Sequence, residues 1–322
     1  MSNRKKLAFF EIEAWEKDWL TKHLGGFELR FYDKPLGEET LVAERDFLVL
    51  SIGASSMISR RVLEAFPRCE FIAARSRRTS HIDMDACRDR RVMVSRLPSY
   101  ASHAAAEFTF ALMLALSRKV CDAARRGAAG QAGHDGLRGL DLFGKTIGVV
   151  GTGHVGMQVI RIAKGFGMRV LAWSAKPNDQ MAQELGFTYV NEDVLFRTSD
   201  VITLHLPHVP PDRPHATEGI IGKDMITSMK RGALFINTAH PDLVDSDALV
   251  WAMREGRLGG LAIDGELSES ARTALAMHPN VLVTSRVAYN TQDALEDVLE
   301  ATAENIKAYF RGFPQHMAGS TI

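Results

Sequence analysis

The chain has few cysteines, no net charge and no long apolar run. Lysine plus arginine and aspartate plus glutamate each number 39, and the sequence pI is about 7.2. This balance argues against a broad nucleic-acid or membrane-binding surface, and no apolar run reaches the ~18 residues of a spanning helix. The basic start, residues 1–6, is followed by too short an apolar run to predict a secretory signal. Cys69, Cys87 and Cys121 are odd in number and lack metal-ligand spacing, which indicates reduced thiols and a cytoplasmic protein.

The length and the alternation of patterns predict two α/β domains. A chain of 322 residues exceeds one ordinary hydrophobic core. Short apolar strands, such as Lys6 to Phe10, alternate with helical patterns, such as Glu13 to Leu24. This alternation is typical of parallel sheets with crossover helices. A nearly all-apolar helix is predicted over residues 104–117, and a last helix over residues 292–310.

A glycine-rich turn is the strongest single motif. The strand-like run Thr146 to Val150 leads directly into Gly151, Gly153 and Gly156, and a helical pattern follows. Strand, tight turn and helix form the context in which G-x-G-x-x-G predicts dinucleotide binding. The first glycine makes the turn, the second admits a pyrophosphate, and the third lets the helix pack on the strand. The predicted cofactor-binding segment is Gly151, Thr152, Gly153, His154, Val155 and Gly156.

The end of the next strand bears on the choice between NADP and NAD. The acidic residue that binds an adenosine ribose normally ends this strand, ~20 residues beyond the glycines. Here the strand Arg169 to Trp173 is followed by Ser174, Ala175 and Lys176, with no carboxylate. Ser174 and Lys176 suit a 2′-phosphate, which favours NADP. NAD remains the alternative, and Lys176 is then an exposed loop lysine.

Ordered segments along most of the chain resemble the D-isomer-specific 2-hydroxyacid dehydrogenases. Ser199 to Pro207 is similar to the family's S-D-V-x-x-L-H-x-P strand, and Asn280 to Thr291 to its N-V-x-x-T-P-H-x-A-x-x-T segment. Further matching segments are residues 97–107, 143–146, 229–245 and 260–269.

The resemblance implies two Rossmann-like, doubly wound parallel-sheet domains with a cofactor cleft between them. Residues 1–102 and 290–322 would form a flavodoxin-like substrate-binding domain, and residues 103–289 an inserted dinucleotide-binding domain. It also implies a homodimer and hydride transfer between nicotinamide and a small anionic 2-oxo/2-hydroxy acid. Further cofactor contacts implied by the family pattern are His205, Leu206, Pro207, Thr238, Ala239, Asp264 and Ala288. For His205, a strand-capping role is the alternative.

Two of the three family catalytic positions are altered. The family's substrate-binding arginine falls at His240, its proton-donating histidine at Arg286, and its glutamate is retained as Glu269. An arginine stays protonated and is no ordinary general acid, whereas a histidine can titrate near neutral pH. One hypothesis is an exchange of roles, in which Arg286 binds the substrate anion and His240 transfers the proton. The alternatives are another reaction on this fold, or a catalytically degenerate dinucleotide-binding protein with a sensing, scaffold or regulatory role.

A basic loop replaces a glycine-containing family loop. Residues 75–83 resemble R-S-x-G-x-D-x-I-D, but the glycine is Arg78. The residues predicted to bind substrate here are Arg77, Arg78, Thr79 and Tyr100. The substrate would then be larger or more anionic than a simple 2-oxo acid, such as a phosphate or phosphonate. A solvated surface charge run is the alternative, and Tyr100 could instead serve interdomain packing. Histidines 103, 154 and 215 lack metal spacing with carboxylates, so no metal is predicted.

Overall fold

The computed structural model describes residues 4–97, 101–276 and 278–319. The chain divides into two compact units, Met1–Ala101 with Thr291–Ile322, and Ser102–Asn290. Each unit contains one parallel sheet flanked by helices, which confirms the predicted doubly wound α/β class. None of the described helices is both long and apolar enough to cross a membrane.

The elements are numbered in chain order. The strands are β1 (Lys6–Phe9), β2 (Glu28–Phe31), β3 (Val49–Ile52), β4 (Phe71–Ala74), β5 (Met93–Ser95), β6 (Thr146–Val150), β7 (Arg169–Trp173), β8 (Thr188–Tyr189), β9 (Val201–Leu204), β10 (Ala233–Asn237), β11 (Leu258–Asp264) and β12 (Val281–Thr284). The helices are α1 (Ala14–His23), α2 (Arg60–Glu64), α3 (Met84–Asp89), α4 (Ser102–Ser117), α5 (Val120–Ala128), α6 (His154–Gly165), α7 (Asp179–Leu185), α8 (Glu192–Thr198), α9 (Lys223–Ser228), α10 (Ser246–Arg254), α11 (Glu269–Leu275) and α12 (Gln292–Phe310). Two 3₁₀-helices span Glu38–Thr40 and Pro241–Leu243.

The first unit has a five-stranded sheet of order β2-β1-β3-β4-β5, which is the flavodoxin-like order. Strands β3 and β4 are buried along their whole length, as expected of parallel strands covered on both faces. The C-terminal helix α12 packs on this sheet, where the ring of Tyr309 stacks on that of Phe71 with centroids 4.5 Å apart.

The second unit has a seven-stranded sheet of order β12-β11-β10-β9-β6-β7-β8. Its strands are parallel, so their carboxyl ends meet at one edge. The strand order reverses between β6 and β9, and the crevice at such a switch point is where Rossmann-type folds bind their ligand. The predicted site residues of this unit follow these carboxyl ends or lie near them.

Several elements differ from the pattern-based expectation. The sequence patterns do not predict strands β2, β5 and β8, because these strands are short and partly exposed and lack a continuous apolar run. Strand β11 begins early, since Leu258 pairs with Ala233 ahead of an irregularity in the ladder.

Candidate functional site

The glycine turn requires glycine at two of its three motif positions. Gly151 has φ +100°, and a Cβ there would lie 2.7 Å from the carbonyl oxygen of His205. A Cβ on Gly156 would lie 2.0 Å from the carbonyl oxygen of Gly151. Neither position can accept a side chain without backbone movement, so the turn is built around close approach of strand and helix.

Gly153 differs from these two glycines. It precedes α6 as the N-cap, makes no side-chain capping bond, and a Cβ on it would meet no described atom within 4 Å. The first amides of α6 therefore border open space, where a helix N-terminus attracts an anion. A shallow depression at this point is lined by Thr152, Gly153, His154, Met157, Gln158 and Arg161.

The donor set of this depression fits a dinucleotide pyrophosphate. It combines helix amides, the Thr152 hydroxyl, which lies 2.8 Å from the Tyr189 hydroxyl, and the exposed Arg161 guanidinium. Val155 points the other way and is half-buried against the core of the unit. Backbone donors, a hydroxyl and a cation are the groups that hold phosphate oxygens in proteins.

Ser174 and Lys176 form a small turn directly after β7. The Ser174 hydroxyl accepts a 3.3 Å hydrogen bond from the Lys176 amide. The Lys176 side chain is exposed, and it has no ion pair among the described residues. The turn therefore presents a hydroxyl and an ammonium group at the same sheet edge as the glycine turn.

His205 follows β9 at the switch point. Its amide donates a 2.8 Å hydrogen bond to the Val150 carbonyl, and its Nε2 lies 3.0 Å from the Thr203 hydroxyl. Desolvation lowers the pKa of the His205 imidazole to about 3, so the ring is neutral at physiological pH. Leu206 and Pro207 come next, and Leu206 packs against the core beside β9 and β10.

The fully buried side-chain amide of Asn237 orders the turn after β10. Asn237 accepts a 2.9 Å hydrogen bond from the Ala239 amide and donates a 3.1 Å bond to the His240 carbonyl. The Thr238 hydroxyl lies 2.8 Å from that of Thr109 on α4. Asn237 therefore fixes the backbone from which the half-buried His240 projects.

His240 belongs to a cluster with two other polar side chains. Its ring stacks on His208 with centroids 4.1 Å apart and planes at 15°. Its Nδ1 lies 3.6 Å from a carboxylate oxygen of Asp242 and accepts a 3.4 Å hydrogen bond from the Asp242 amide. His208 and Asp242 were absent from the sequence-based set. The available signal was that His208 follows β9 and His240 follows β10, and these are neighbouring parallel strands.

Asp264 ends β11 and is buried. Its Oδ1 accepts hydrogen bonds from the Thr284 hydroxyl at 2.6 Å and the Val287 amide at 2.9 Å, and its Oδ2 accepts one from the Ala288 amide at 2.8 Å. Asp264 thus holds the loop after β12, and Ala288 is one of its anchors. The exposed Arg286 sits in this loop with φ +57°.

Glu269 is the first residue of α11 and is exposed. Among the described residues, no ion pair joins Glu269 to Arg286. His240 and Arg286 follow strands separated by β11 alone, and a strand spacing of about 4.8 Å puts those strand ends about 10 Å apart. The fold therefore brings the three positions to the same edge of the sheet.

The basic loop of the first unit follows β4. Arg75 is buried and donates to the Ser51 hydroxyl at 2.9 Å and the Glu11 carbonyl at 3.0 Å. Arg77 and Arg78 are exposed, and Thr79 is half-buried. Tyr100 lies outside the described residues, so the substrate role of these four residues stays a prediction.

Comparisons with known proteins agree with this architecture. The profile of the family described as D-isomer specific 2-hydroxyacid dehydrogenase, NAD binding domain, matches residues 110–288. D-lactate dehydrogenase of Escherichia coli is 32% identical, with 95% of this chain and 97% of that protein covered. The apo-structure of D-lactate dehydrogenase from Escherichia coli superposes with a TM-score of 0.84 at 33% identity, covering 95% of this chain and 97% of the other. The structure of D-lactate dehydrogenase from Aquifex aeolicus complexed with NAD and lactic acid superposes with a TM-score of 0.80 at 28% identity, covering 95% and 96%. The chain belongs to the D-isomer-specific 2-hydroxyacid dehydrogenase family.

Proposed function

We propose that the protein is a nicotinamide dinucleotide-dependent oxidoreductase acting on a small anionic 2-oxo/2-hydroxy acid. The observation that carries this proposal is the glycine turn at the switch point, with His240, Glu269 and Arg286 at the same sheet edge. The relatives support it, since they include a D-lactate dehydrogenase complexed with NAD and lactic acid.

Different groups of the chain would bind different parts of the dinucleotide. When bound, the dinucleotide supplies or accepts a hydride at its nicotinamide ring. The α6 amides and the glycine turn would bind the pyrophosphate, for which Gly153 leaves room. The residues proposed to line the rest of the cofactor site are His205, Leu206, Pro207, Thr238, Ala239, Asp264 and Ala288. In this proposal Asp264 acts through the loop that it anchors, because three donors already occupy its carboxylate.

We further propose a preference for NADP over NAD. Ser174 offers a hydroxyl and Lys176 an exposed ammonium group where a ribose-binding carboxylate is expected. An ammonium group attracts a 2′-phosphate, and the missing carboxylate removes a repulsion. These two side chains support NADP as the proposed cofactor, with NAD as the alternative.

The proposed chemistry exchanges two family roles. The Arg286 guanidinium binds the substrate carboxylate through paired N–H donors. In the reductive direction, the protonated His240 would give its proton to the C2 carbonyl oxygen of the substrate, while the bound dinucleotide would supply the hydride. The product is a 2-hydroxy acid, with one hydride and one proton consumed per turnover. Asp242, 3.6 Å from Nδ1, orients the ring so that the other ring nitrogen serves the substrate. Glu269 lies at the same edge and would orient the Arg286 guanidinium.

Absorbance of the reduced nicotinamide tests this proposal. The protein is mixed with NADPH or NADH and a panel of 2-oxo acids with their phosphate- and phosphonate-bearing analogues. We expect saturable oxidation with at least one anionic 2-oxo acid. Saturable cofactor binding by calorimetry without oxidation across the panel would contradict it. That result would favour a dinucleotide-binding protein with a sensing, scaffold or regulatory role.

A further inference from the structure

We propose that His208, His240 and Asp242 form a binding site for a divalent transition-metal ion of the Zn²⁺ class. One ligand atom from each of these three residues lies within 4.8 Å of the other two. Two imidazole nitrogens and one carboxylate oxygen are a ligand set that Zn²⁺ and Co²⁺ accept, with coordination positions left for water or an anion.

The charges around the cluster favour a cation. Asp242 and Glu218 bring two carboxylates, and Glu218 lies 3.5 Å from Nε2 of His208. Within the described part of the chain, the ion-pair partners of both carboxylates are imidazoles, with no lysine or arginine paired to them. The two carboxylates therefore supply negative charge at the cluster for a divalent ion.

Backbone links hold the segments of the cluster together. Thr217 closes the loop that begins at His208, since its hydroxyl accepts from the Val209 amide and donates to the Pro207 carbonyl, both at 2.8 Å. The Gly219 amide donates a 2.7 Å hydrogen bond to the Asp242 carbonyl, which joins that loop to the 3₁₀-helix after His240. The ligands are thus supplied by two tied segments, and this lowers the ordering cost of binding an ion.

The ion would enter from the solvent side of the cluster. The His208 side chain is only 11% exposed, whereas that of Asp242 is 55% exposed. The stacked rings must turn about their Cβ–Cγ bonds so that both nitrogen lone pairs meet at one point. Tetrahedral Zn²⁺ ligands stand about 3.3 Å apart, so the ligand atoms would close by up to about 1.5 Å. Side-chain rotation covers such a distance without moving the backbone.

The consequence for turnover rests on the proposed function. A metal ion bound to His240 fixes its imidazole in the neutral form and turns it towards the cluster, which removes it from proton transfer. Zn²⁺ would therefore inhibit the reaction proposed above. Metal binding itself does not depend on that reaction, so the two statements are tested separately.

The binding test uses the full chain after chelator treatment. Co²⁺ is titrated while its visible absorption is followed, and Zn²⁺ is titrated by calorimetry. We expect one ion per chain in the wild type and at least tenfold weaker binding in His208→Gln and in Asp242→Asn. Asp242 is exposed, so Asp242→Asn keeps the fold even where His208→Gln does not. His134→Gln, which removes an exposed histidine outside the cluster, is the matched control and should bind as the wild type does. Equal binding in the wild type, His208→Gln and Asp242→Asn, or no binding in the wild type, overturns the metal site.

The inhibition test compares each protein with its own metal-free rate. Zn²⁺ should suppress cofactor oxidation in the wild type and in His134→Gln at concentrations that leave His208→Gln and Asp242→Asn largely uninhibited. Binding without inhibition would keep the metal site and contradict the proton-transfer role of His240. If no substrate is turned over, the proposed function fails, and the Co²⁺ titration alone decides on the metal site.

Discussion

The Asp264 carboxylate accepts a 2.8 Å hydrogen bond from the Ala288 amide and so ties the end of β11 to the loop after β12. Its other oxygen holds Thr284 and Val287. Arg286 lies between these anchors in the left-handed region, at φ +57°, which costs an arginine roughly 1–2 kcal/mol. A buried carboxylate thus keeps an exposed guanidinium in a conformation that the chain would otherwise leave.

Asp264→Asn should therefore destabilise the second unit and loosen Arg286. An amide group cannot accept at both ends, so at least one of three donors loses its partner, at a cost of about 2–3 kcal/mol. Urea unfolding followed by circular dichroism measures this loss. Asp212→Asn, on an exposed loop, is the control and should stay within about 0.5 kcal/mol of the wild type. Equal stability of the two variants would show that Asp264 does not anchor the loop.

Substitution of two glycines of the turn should affect stability and cofactor binding separately. Gly156→Ala places a methyl group 2.0 Å from the Gly151 carbonyl oxygen and should cost about 2 kcal/mol or more in stability. Gly153→Ala meets no described atom within 4 Å, so it should fold normally yet weaken dinucleotide binding at least tenfold. Thermal unfolding and calorimetry measure the two effects.

The control for this pair lies in the same helix. Gly165 also has open space around a Cβ and no positive φ, so Gly165→Ala should raise stability by about 0.5 kcal/mol and leave cofactor binding unchanged. Wild-type dinucleotide affinity in Gly153→Ala would contradict the assignment of the pyrophosphate to the first turn of α6.

His205 should make stability depend on pH. Its pKa is about 3 in the folded protein and about 6.5 in the unfolded chain, so below pH 6.5 the unfolded state binds the extra proton. The contribution of the neutral His205 imidazole to the free energy of unfolding is fully present above pH 6.5. It is lost as the pH falls towards 3, by at most about 1.4 kcal/mol per pH unit. His205→Gln should flatten this loss between about pH 6.5 and about pH 5, measured by urea unfolding. His134→Gln is the control and should keep the wild-type slope. If His205→Gln also shows the wild-type slope, His205 is protonated freely in the folded state.

Local patterns predicted the elements but not the contacts between loops. Strands β6, β9 and β10 were readable because they are apolar and buried along their length. The stacking of His208 on His240 depends on the register of two loops about thirty residues apart, and no local pattern carries that information. The anchoring of the Arg286 loop by Asp264 was hidden for the same reason, because its donors are mainly backbone amides, which every residue but proline has.

Lys176→Ala should reduce the affinity for NADPH about tenfold and leave that for NADH nearly unchanged. The ammonium group would contact only the 2′-phosphate, and a hydrogen bond to a charged group contributes about 1.5–3 kcal/mol. Calorimetric titration with both cofactors measures the difference. Lys22→Ala, an exposed lysine on α1, removes the same charge from the other unit and should change neither affinity. Clearly tighter NADH than NADPH binding in the wild type would defeat the proposed preference.

The exchange of roles between His240 and Arg286 predicts different kinetic effects for the two positions. Arg286→Met removes the proposed carboxylate contact, so KM for the substrate should rise at least tenfold, and Arg286→Lys should recover part of the loss. His240→Gln removes the proposed proton donor, so kcat should fall by about 10²–10⁴. Steady-state kinetics on the best substrate of the panel measures both parameters.

The double variant His240→Arg with Arg286→His restores the arrangement of the family and discriminates between the hypotheses. If the wild type works by exchanged roles, each single substitution should be more harmful than the pair, because either one alone leaves two arginines or two histidines at the site. If the wild type is inactive and the double variant reduces 2-oxo acids efficiently, the site is degenerate and the exchange is wrong. The fold would then retain everything the family reaction needs except the correct residues after β10 and β12.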